Sequence, residues 1–216
     1  MVMPERLLVI GAGGHARSVI DIILQNGDYE IVGCIDNSYP EMKFLPGMSE
    51  IPVVGNDDKL QEFYDQGVNR IFVALGNNRL RAKLYKKAMA IGFEPATVVS
   101  RHAVISPRAK IGTGTCVMAG AVVNVNCVIG EDCIINTNCS LDHDCKVGSH
   151  CHVAPGCAVS GTVSLGDYVQ LGTGTNVIDG ISVGEGTFIG AGAAVVKDMP
   201  ENILAYGVPA RFVKKF

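Results

Sequence analysis

Residues 127–161 read C-V-I-G-E-D-C-I-I-N-T-N-C-S-L-D-H-D-C-K-V-G-S-H-C-H-V-A-P-G-C-A-V-S-G, and they repeat on a period of six. Ile129, Ile135, Leu141, Val147, Val153 and Val159 hold one phase. Cys127, Cys133, Cys139, Cys145, Cys151 and Cys157 hold the phase four residues later. Followed outward, the aliphatic column runs from Ile105 to Val195 without one insertion, sixteen hexads over residues 105–200. The second column runs from Ala109 to Met199 in Ala, Thr, Cys, Val, Ile and Met. A fixed period of six is the pattern of a parallel β-helix. Each hexad supplies one short strand and one corner, so three hexads close a coil of about 18 residues and the block makes about five coils. Coils stack at about 4.8 Å, which sets residues one coil apart above one another.

Residues 1–95 are different in kind. Leu7 to Ile10, Ile31 to Ile35 and Arg70 to Leu75 are apolar strand candidates. Ser18 to Leu24 and Leu80 to Ile91 carry helical spacing, and Gly11 to Ala16 (G-A-G-G-H-A) is expected as a turn. Strands alternating with helices predict a small parallel, Rossmann-like α/β domain over 1–95, followed by an all-β β-helix domain with a C-terminal tail over 96–216.

The 216 residues hold 26 Gly, 8 Cys and no Trp, with 48% hydrophobic and 18% charged residues. This composition excludes wholesale disorder. A net charge of -3 argues against a nucleic-acid partner, which needs phosphate-neutralising cations. No run of apolar residues is long enough for a membrane span. The start M-V-M-P-E-R-L-L-V-I-G lacks a basic n-region with a cleavable apolar run, so a cytoplasmic protein is expected. Without export, eight cysteines do not make a disulfide scaffold. No C-x2-C pair exists, so the six phased cysteines are expected to pack rather than bind metal. Cys34 is expected in a core, and Cys116, at an outward phase, is the one candidate for a reactive thiol.

His143, His150 and His152 fall at the third, fourth and sixth places of their hexads, all expected to face outward. His143 is flanked by Asp142 and Asp144, and a carboxylate beside an imidazole orients it and raises its basicity, as suits a general base. His143 and His152 stand half a coil apart and should face different sides of one subunit. A site that uses both must be shared between subunits, which predicts a symmetric homotrimer.

In the first domain, G-x-G-x-x-A after a strand with Asp36 further on satisfies the loose dinucleotide fingerprint. The domain is short, and no partner domain offers hydride chemistry. Glycine-loop amides at a helix start equally cradle the diphosphate of a nucleotide sugar.

The combination of G-A-G-G-H-A, L-G-N-N-R-L-R, the hexads, N-T-x-x-x-x-D-H-D-C and H-V-A-P-G resembles the sialic acid O-acetyltransferase and nucleotide-aminosugar N-acetyltransferase family, along essentially the whole chain. The resemblance implies a left-handed coil and acetyl transfer to a UDP-linked 4-amino-4,6-dideoxy sugar. It implies His143 as general base, Asp144 increasing its basicity, and His152 contacting acetyl-CoA near the thioester. Main-chain groups of Gly161, Thr173 and Ala191 are implied in binding coenzyme A. Gly13, Gly14, His15, Asp36, Asn37 and Gly76 are implied in binding the UDP-sugar. Relatives carry Glu at the position of Asp144 and Asp at that of Asn37. Acetyl-CoA is then a co-substrate, with no bound cofactor and no metal.

The tail from Glu201 to Phe216 breaks the hexad phase, and its G-V-P-A-R resembles the closing segment of hexapeptide acyltransferases. Arg211, Lys214 and Lys215 there could attract coenzyme A phosphates or be a solvated terminus. O-acetylation of a sugar such as sialic acid is the alternative within the class. A histidine-metal hydratase on the same coil is the alternative outside it, and a non-catalytic scaffold would leave D-H-D without a purpose.

Overall fold

The computed structural model describes residues 4–216. The chain divides into two compact units, Met1–Val98 and Val99–Phe216.

In the first unit, β1 (Glu5–Ile10) leads into α1 (Gly14–Asn26), β2 (Tyr29–Ile35), β3 (Phe44–Leu45), β4 (Met48–Gly55), α2 (Leu60–Asp65), β5 (Arg70–Val73), α3 (Asn78–Ile91) and β6 (Glu94–Pro95). The sheet order is β3-β4-β2-β1-β5-β6, with only β3 antiparallel to its neighbour. Alternate residues of a strand face opposite sides. Leu8, Ile10, Ile71 and Val73 therefore share one core with Leu60, Leu84, Tyr85 and Ala88 of α2 and α3, while Leu7, Val9 and Phe72 are buried on the alternate positions. α1 buries Ala16, Val19, Ile20 and Ile23, and stops where Gly27 turns left-handed and its amide bonds the Ile23 carbonyl. The helix begins at Gly14, so the expected turn over Gly11 to Ala16 is shorter than the sequence suggests. Gly13, extended at the N-cap, lets Gly14, His15 and Ala16 enter the first helical turn. β4 carries Pro52 in its middle, which hides it from a propensity reading.

The second unit is a parallel β-helix. Sixteen two-residue strands recur every six residues from Val104–Ile105 to Ala194–Val195, and together with Val98–Val99, Ile203–Tyr206 and Arg211–Lys215 they make sheets of eight, six and five strands. Registers such as Leu141↔Val159 and Val153↔Leu171 place residues one coil apart side by side. All aliphatic positions from Val117 to Val195 are buried, as is the second column from Thr115 to Met199. Five of the six phased thiols, those of Cys127, Cys133, Cys145, Cys151 and Cys157, donate to carbonyls of the next coil, for example Cys127 Sγ to the Asp142 oxygen at 2.9 Å and Cys151 Sγ to the Gly166 oxygen at 3.0 Å. Gly112, Gly130, Gly148, Gly166 and Gly184 form a column in which an added Cβ would come within 2.4 to 2.7 Å of the neighbouring coil's backbone. Glycine at this corner reflects the closeness of stacked chain, not turn flexibility. The coil ends in Ile203–Tyr206, which continues the largest sheet, and Arg211–Lys215, which returns antiparallel and exposed.

Two expectations are corrected. Cys116 is fully buried, because its outward face is covered together with that of its ladder neighbour Ile134. All eight thiols are buried, and burial pushes Cys34 and Cys139 up to about 12, far from a reactive thiolate. His150 is buried rather than outward. It turns left-handed (φ 61°), bonds Asp132 Oδ2 through Nδ1 at 2.8 Å, and lies against the Tyr168 ring at 4.9 Å between centroids. These three residues stand one coil apart at a single corner and staple it.

Candidate active site

In the coil unit, His143 occupies a corner whose column also holds Asn126, Asp144, Thr162 and Gly180, all with left-handed backbone. Asp and Asn tolerate that conformation better than most residues. At Asp144 it turns the carboxylate back toward its predecessor, so His143 Nδ1 and Asp144 Oδ2 lie 2.9 Å apart. Asn126 Nδ2, one coil away, donates to the other oxygen of Asp144 at 3.1 Å. On the opposite flank, Asp142 Oδ1 accepts from the His143 amide at 2.8 Å and from Asn124 Nδ2 at 2.9 Å. The Asp144–Asn126 rung thus holds the imidazole, and the Asp142–Asn124 rung holds the His143 main chain. The hydrogen bond from His143, and then that from Asn126, hold the Asp144 carboxyl below the usual carboxylate range.

Gly161 lies directly against this ring. A Cβ on Gly161 would sit 2.5 Å from His143 Cε1 and 2.6 Å from Nε2. Nε2 has no internal partner among the described residues. Beside the corner, a shallow groove of about 320 Å³ is lined by Asn124, Ser140, Asp142, Ala158 and Ser160.

The other residues expected to serve acetyl-CoA lie elsewhere on the coil. His152 stands on the strand His152–Val153 of the largest sheet, with Nε2 3.0 Å from Asn136 Nδ2. Thr173 and Ala191 share a second corner column one coil apart, where the Thr173 carbonyl accepts from the Gly192 amide at 2.8 Å. The amides of Gly161, Thr173 and Ala191 have no internal acceptor among the described residues, so their main-chain donors remain available. Within one chain, His143 and Gly161 come together, whereas His152, Thr173 and Ala191 do not join them at that corner.

In the first unit, the carboxyl ends of β1, β2 and β5 open a cleft of about 260 Å³ lined by Ile10, Gly11, Ile35, Asp36, Asn37, Asp57, Leu75, Leu80, Lys83 and Leu84. β1 lies between β2 and β5, and the chain runs from β1 to β2 on one side and reaches β5 on the other, so this is a topological switch point. Gly11 (φ +109°) allows the close approach there, since a Cβ would meet the Ala74 carbonyl oxygen at 2.9 Å. Asp36 accepts from the Ala12 amide at 2.9 Å and from the Ser38 amide and hydroxyl at 2.9 and 2.7 Å. Burial pulls its carboxyl upward, but these bonds outweigh it and leave it lowered.

Asp36 and Asn37 thus line the cleft themselves. Gly13, Gly14 and His15 follow Gly11 into α1, and Gly76 follows Leu75, with open space where Cβ atoms on Gly13 and Gly76 would lie. Burial, and then the charge of Arg81, push the His15 imidazole down to about 4, so it is neutral at pH 7. Arg81 is itself buried and donates to the Leu75 carbonyl at 3.1 Å and to Asn78 Oδ1 at 3.0 Å, which ties down the loop that carries Gly76. The motifs did not identify Asp57 or Lys83, whereas Arg81 closes L-G-N-N-R-L-R. Lys83 lies within the helical spacing of Leu80 to Ile91, which gave it no functional mark, and Asp57 had no signal at all.

Residues 6–88 match the PglD N-terminal domain, and residues 126–161 match the bacterial transferase hexapeptide (six repeats). The chain is similar to a histidine-to-asparagine variant of perosamine N-acetyltransferase from Caulobacter crescentus in complex with CoA and GDP-perosamine, at 40% identity over 97% of each chain and a TM-score of 0.92. It is also similar to the acetyltransferase domain of PglB from Neisseria gonorrhoeae in complex with acetyl coenzyme A, at 35% identity over 98% of this chain and 100% of that one, with a TM-score of 0.91. A 106-residue stretch is 35% identical to an uncharacterised protein of Acanthamoeba polyphaga mimivirus, and it spans 49% of this chain and 20% of that protein. No helix among the described residues is long and apolar enough to cross a membrane. The chain belongs to the sialic acid O-acetyltransferase and nucleotide-aminosugar N-acetyltransferase family, acetyl-CoA-dependent acyltransferases built on a left-handed β-helix of hexapeptide repeats.

Proposed function

We propose that the protein transfers the acetyl group of acetyl-CoA to the 4-amino group of a nucleotide-linked amino-dideoxy sugar. The observation that carries this reading is the His143 imidazole, bonded at Nδ1 by Asp144 and with Nε2 left for a substrate proton. The amine nitrogen attacks the thioester carbonyl carbon while His143 Nε2 takes its proton, and Asp144 stabilises the imidazolium that forms. The tetrahedral intermediate collapses, the C–S bond breaks, and the departing sulfur recovers the proton from His143. The products are an acetamido sugar and free CoA. Both substrates are bound together, so no acyl-enzyme is required.

The glycine loop and the cleft of the first unit hold the nucleotide, through Gly13, Gly14, His15, Asp36, Asn37 and Gly76. A neutral His15 donates one hydrogen bond without adding charge. Main-chain amides of Gly161, Thr173 and Ala191, together with His152, hold the coenzyme. Donors of this kind also stabilise the carbonyl oxygen as it becomes negative. The family resemblance implied UDP, whereas the Caulobacter relative is named with a GDP-sugar, so the assay panel includes both.

The test is CoA thiol release measured with UDP- and GDP-linked 4-amino sugars and with sialic acid. Acetylation of an amino sugar nucleotide is expected. Turnover of sialic acid alone would replace this reading by O-acetylation. Because His143 and His152 lie in different parts of one coil, a site that uses both takes them from two copies. The active species is then a homotrimer with three shared clefts, and light scattering coupled to activity should find activity only in the trimer. A fully active monomer would remove the shared site.

A further inference from the structure

The nucleotide cleft carries two charged groups outside the family motifs, Asp57 and Lys83. Asp57 opens a short helical turn after β4, Asp57–Lys59. Lys87 pins it: Nζ lies 3.2 Å from Asp57 Oδ2 and donates to its main-chain oxygen at 2.9 Å. The carboxylate is therefore fixed in place at the cleft wall, and its Oδ1 has no internal partner among the described residues. Lys83 precedes Lys87 by one helical turn, so α3 sets both amines on one side. The lining also holds five apolar residues, Ile10, Ile35, Leu75, Leu80 and Leu84. A lining that joins apolar residues with a carboxylate and an ammonium suits a ring that is greasy on its faces and polar on its edge. The cleft's other carboxylate, Asp36, already serves Ala12 and Ser38. Asp57 is the one left to read a base.

We propose that this cleft selects guanine, with Asp57 accepting from the base N1–H and exocyclic N2–H2 and Lys83 donating to O6. The inference rests on the nucleotide-sugar reading above and specifies its nucleotide. Base-edge chemistry separates the alternatives. Guanine presents two adjacent donors, which match the two oxygens of a carboxylate. Uracil presents one N–H flanked by two carbonyl oxygens, both of which repel a carboxylate. Adenine presents an amino group beside a ring-nitrogen lone pair, so one carboxylate oxygen meets a lone pair.

The experiment is calorimetric titration of the full chain with GDP, IDP, UDP and ADP, without acetyl-CoA. GDP should bind roughly 10- to 100-fold tighter than UDP or ADP, in line with a hydrogen-bond pair to a charged group. IDP lacks only the N2 amino group and should lose roughly tenfold relative to GDP by the same measure. In Asp57→Asn the GDP-to-UDP ratio should collapse toward one, because an amide can turn either its donor or its acceptor to the base. The comparison of nucleotides on the parent protein needs no variant to fold. UDP binding as tight as GDP, equal GDP and IDP affinity, or an unchanged ratio in Asp57→Asn would each overturn the guanine assignment while leaving the sugar-nucleotide reading in place. Failure of all four nucleotides to bind would overturn both.

Discussion

Substituting alanine for His143 should lower kcat by ~10²-fold or more, the ordinary contribution of a positioned general base. The expectation follows from how the residue is held. Asp144 takes Nδ1, Asn126 takes the second oxygen of Asp144, and Asp142 takes the His143 amide, which leaves Nε2 as the only ring atom free to receive a proton. The side chain is half exposed and fills no core space. Its loss should therefore leave thermal unfolding within roughly 0.5 kcal/mol of the parent, as for surface substitutions. KM for both substrates should change little, since the interaction belongs to the transition state. Steady-state kinetics on protein with matched melting behaviour checks this. Turnover near the parental rate would remove His143 from the chemistry.

Gly161→Ala should be almost as damaging, by a different route. The Gly161 backbone is not left-handed, so alanine is conformationally acceptable there. Its methyl group, however, would occupy space 2.5 to 2.6 Å from Cε1 and Nε2 of His143. The ring is the end of a flexible, exposed side chain and can yield, so the fold should survive. Yielding moves Nε2 away from its working position, and a displacement of about 1 Å can cost about 10²-fold in rate. We expect kcat to fall steeply with KM for acetyl-CoA nearly unchanged. A rise in that KM with kcat preserved would show that Gly161 acts through its main-chain contact to the coenzyme instead.

The two substitutions test one arrangement from opposite sides, one by removing the base and the other by displacing it. Residue types at this corner were readable beforehand, because D-H-D announces an imidazole between carboxylates. The reason for glycine at 161 was not, since its neighbour is the ring one coil away. The same limit explains His150 and Cys116. Hexad phase assigns both to outward positions, yet His150 is buried with Asp132 and Tyr168, and Cys116 is covered together with Ile134. Phase reports which way a side chain leaves the backbone and says nothing about what then covers it. In the first unit, the glycine loop and Asp36 stood out as a motif. Asp57 and Lys83, from elements distant in sequence, meet at the cleft only after the sheet is ordered with β1 between β2 and β5.

What the sequence by itself determined is periodic or local: the β-helix, its two buried columns, the α/β unit before it, and a histidine flanked by aspartates. A strict period of six leaves a chain one economical way to bury an aliphatic at each repeat, so that part needs no partner from elsewhere. Only the tertiary structure decided which atoms face one another. It set the Nδ1 partner of His143, the glycine against its ring, and the charged residues that line the nucleotide cleft. Those depend on stacking and strand order, which bring together residues whose spacing along the chain carries no mark of the contact.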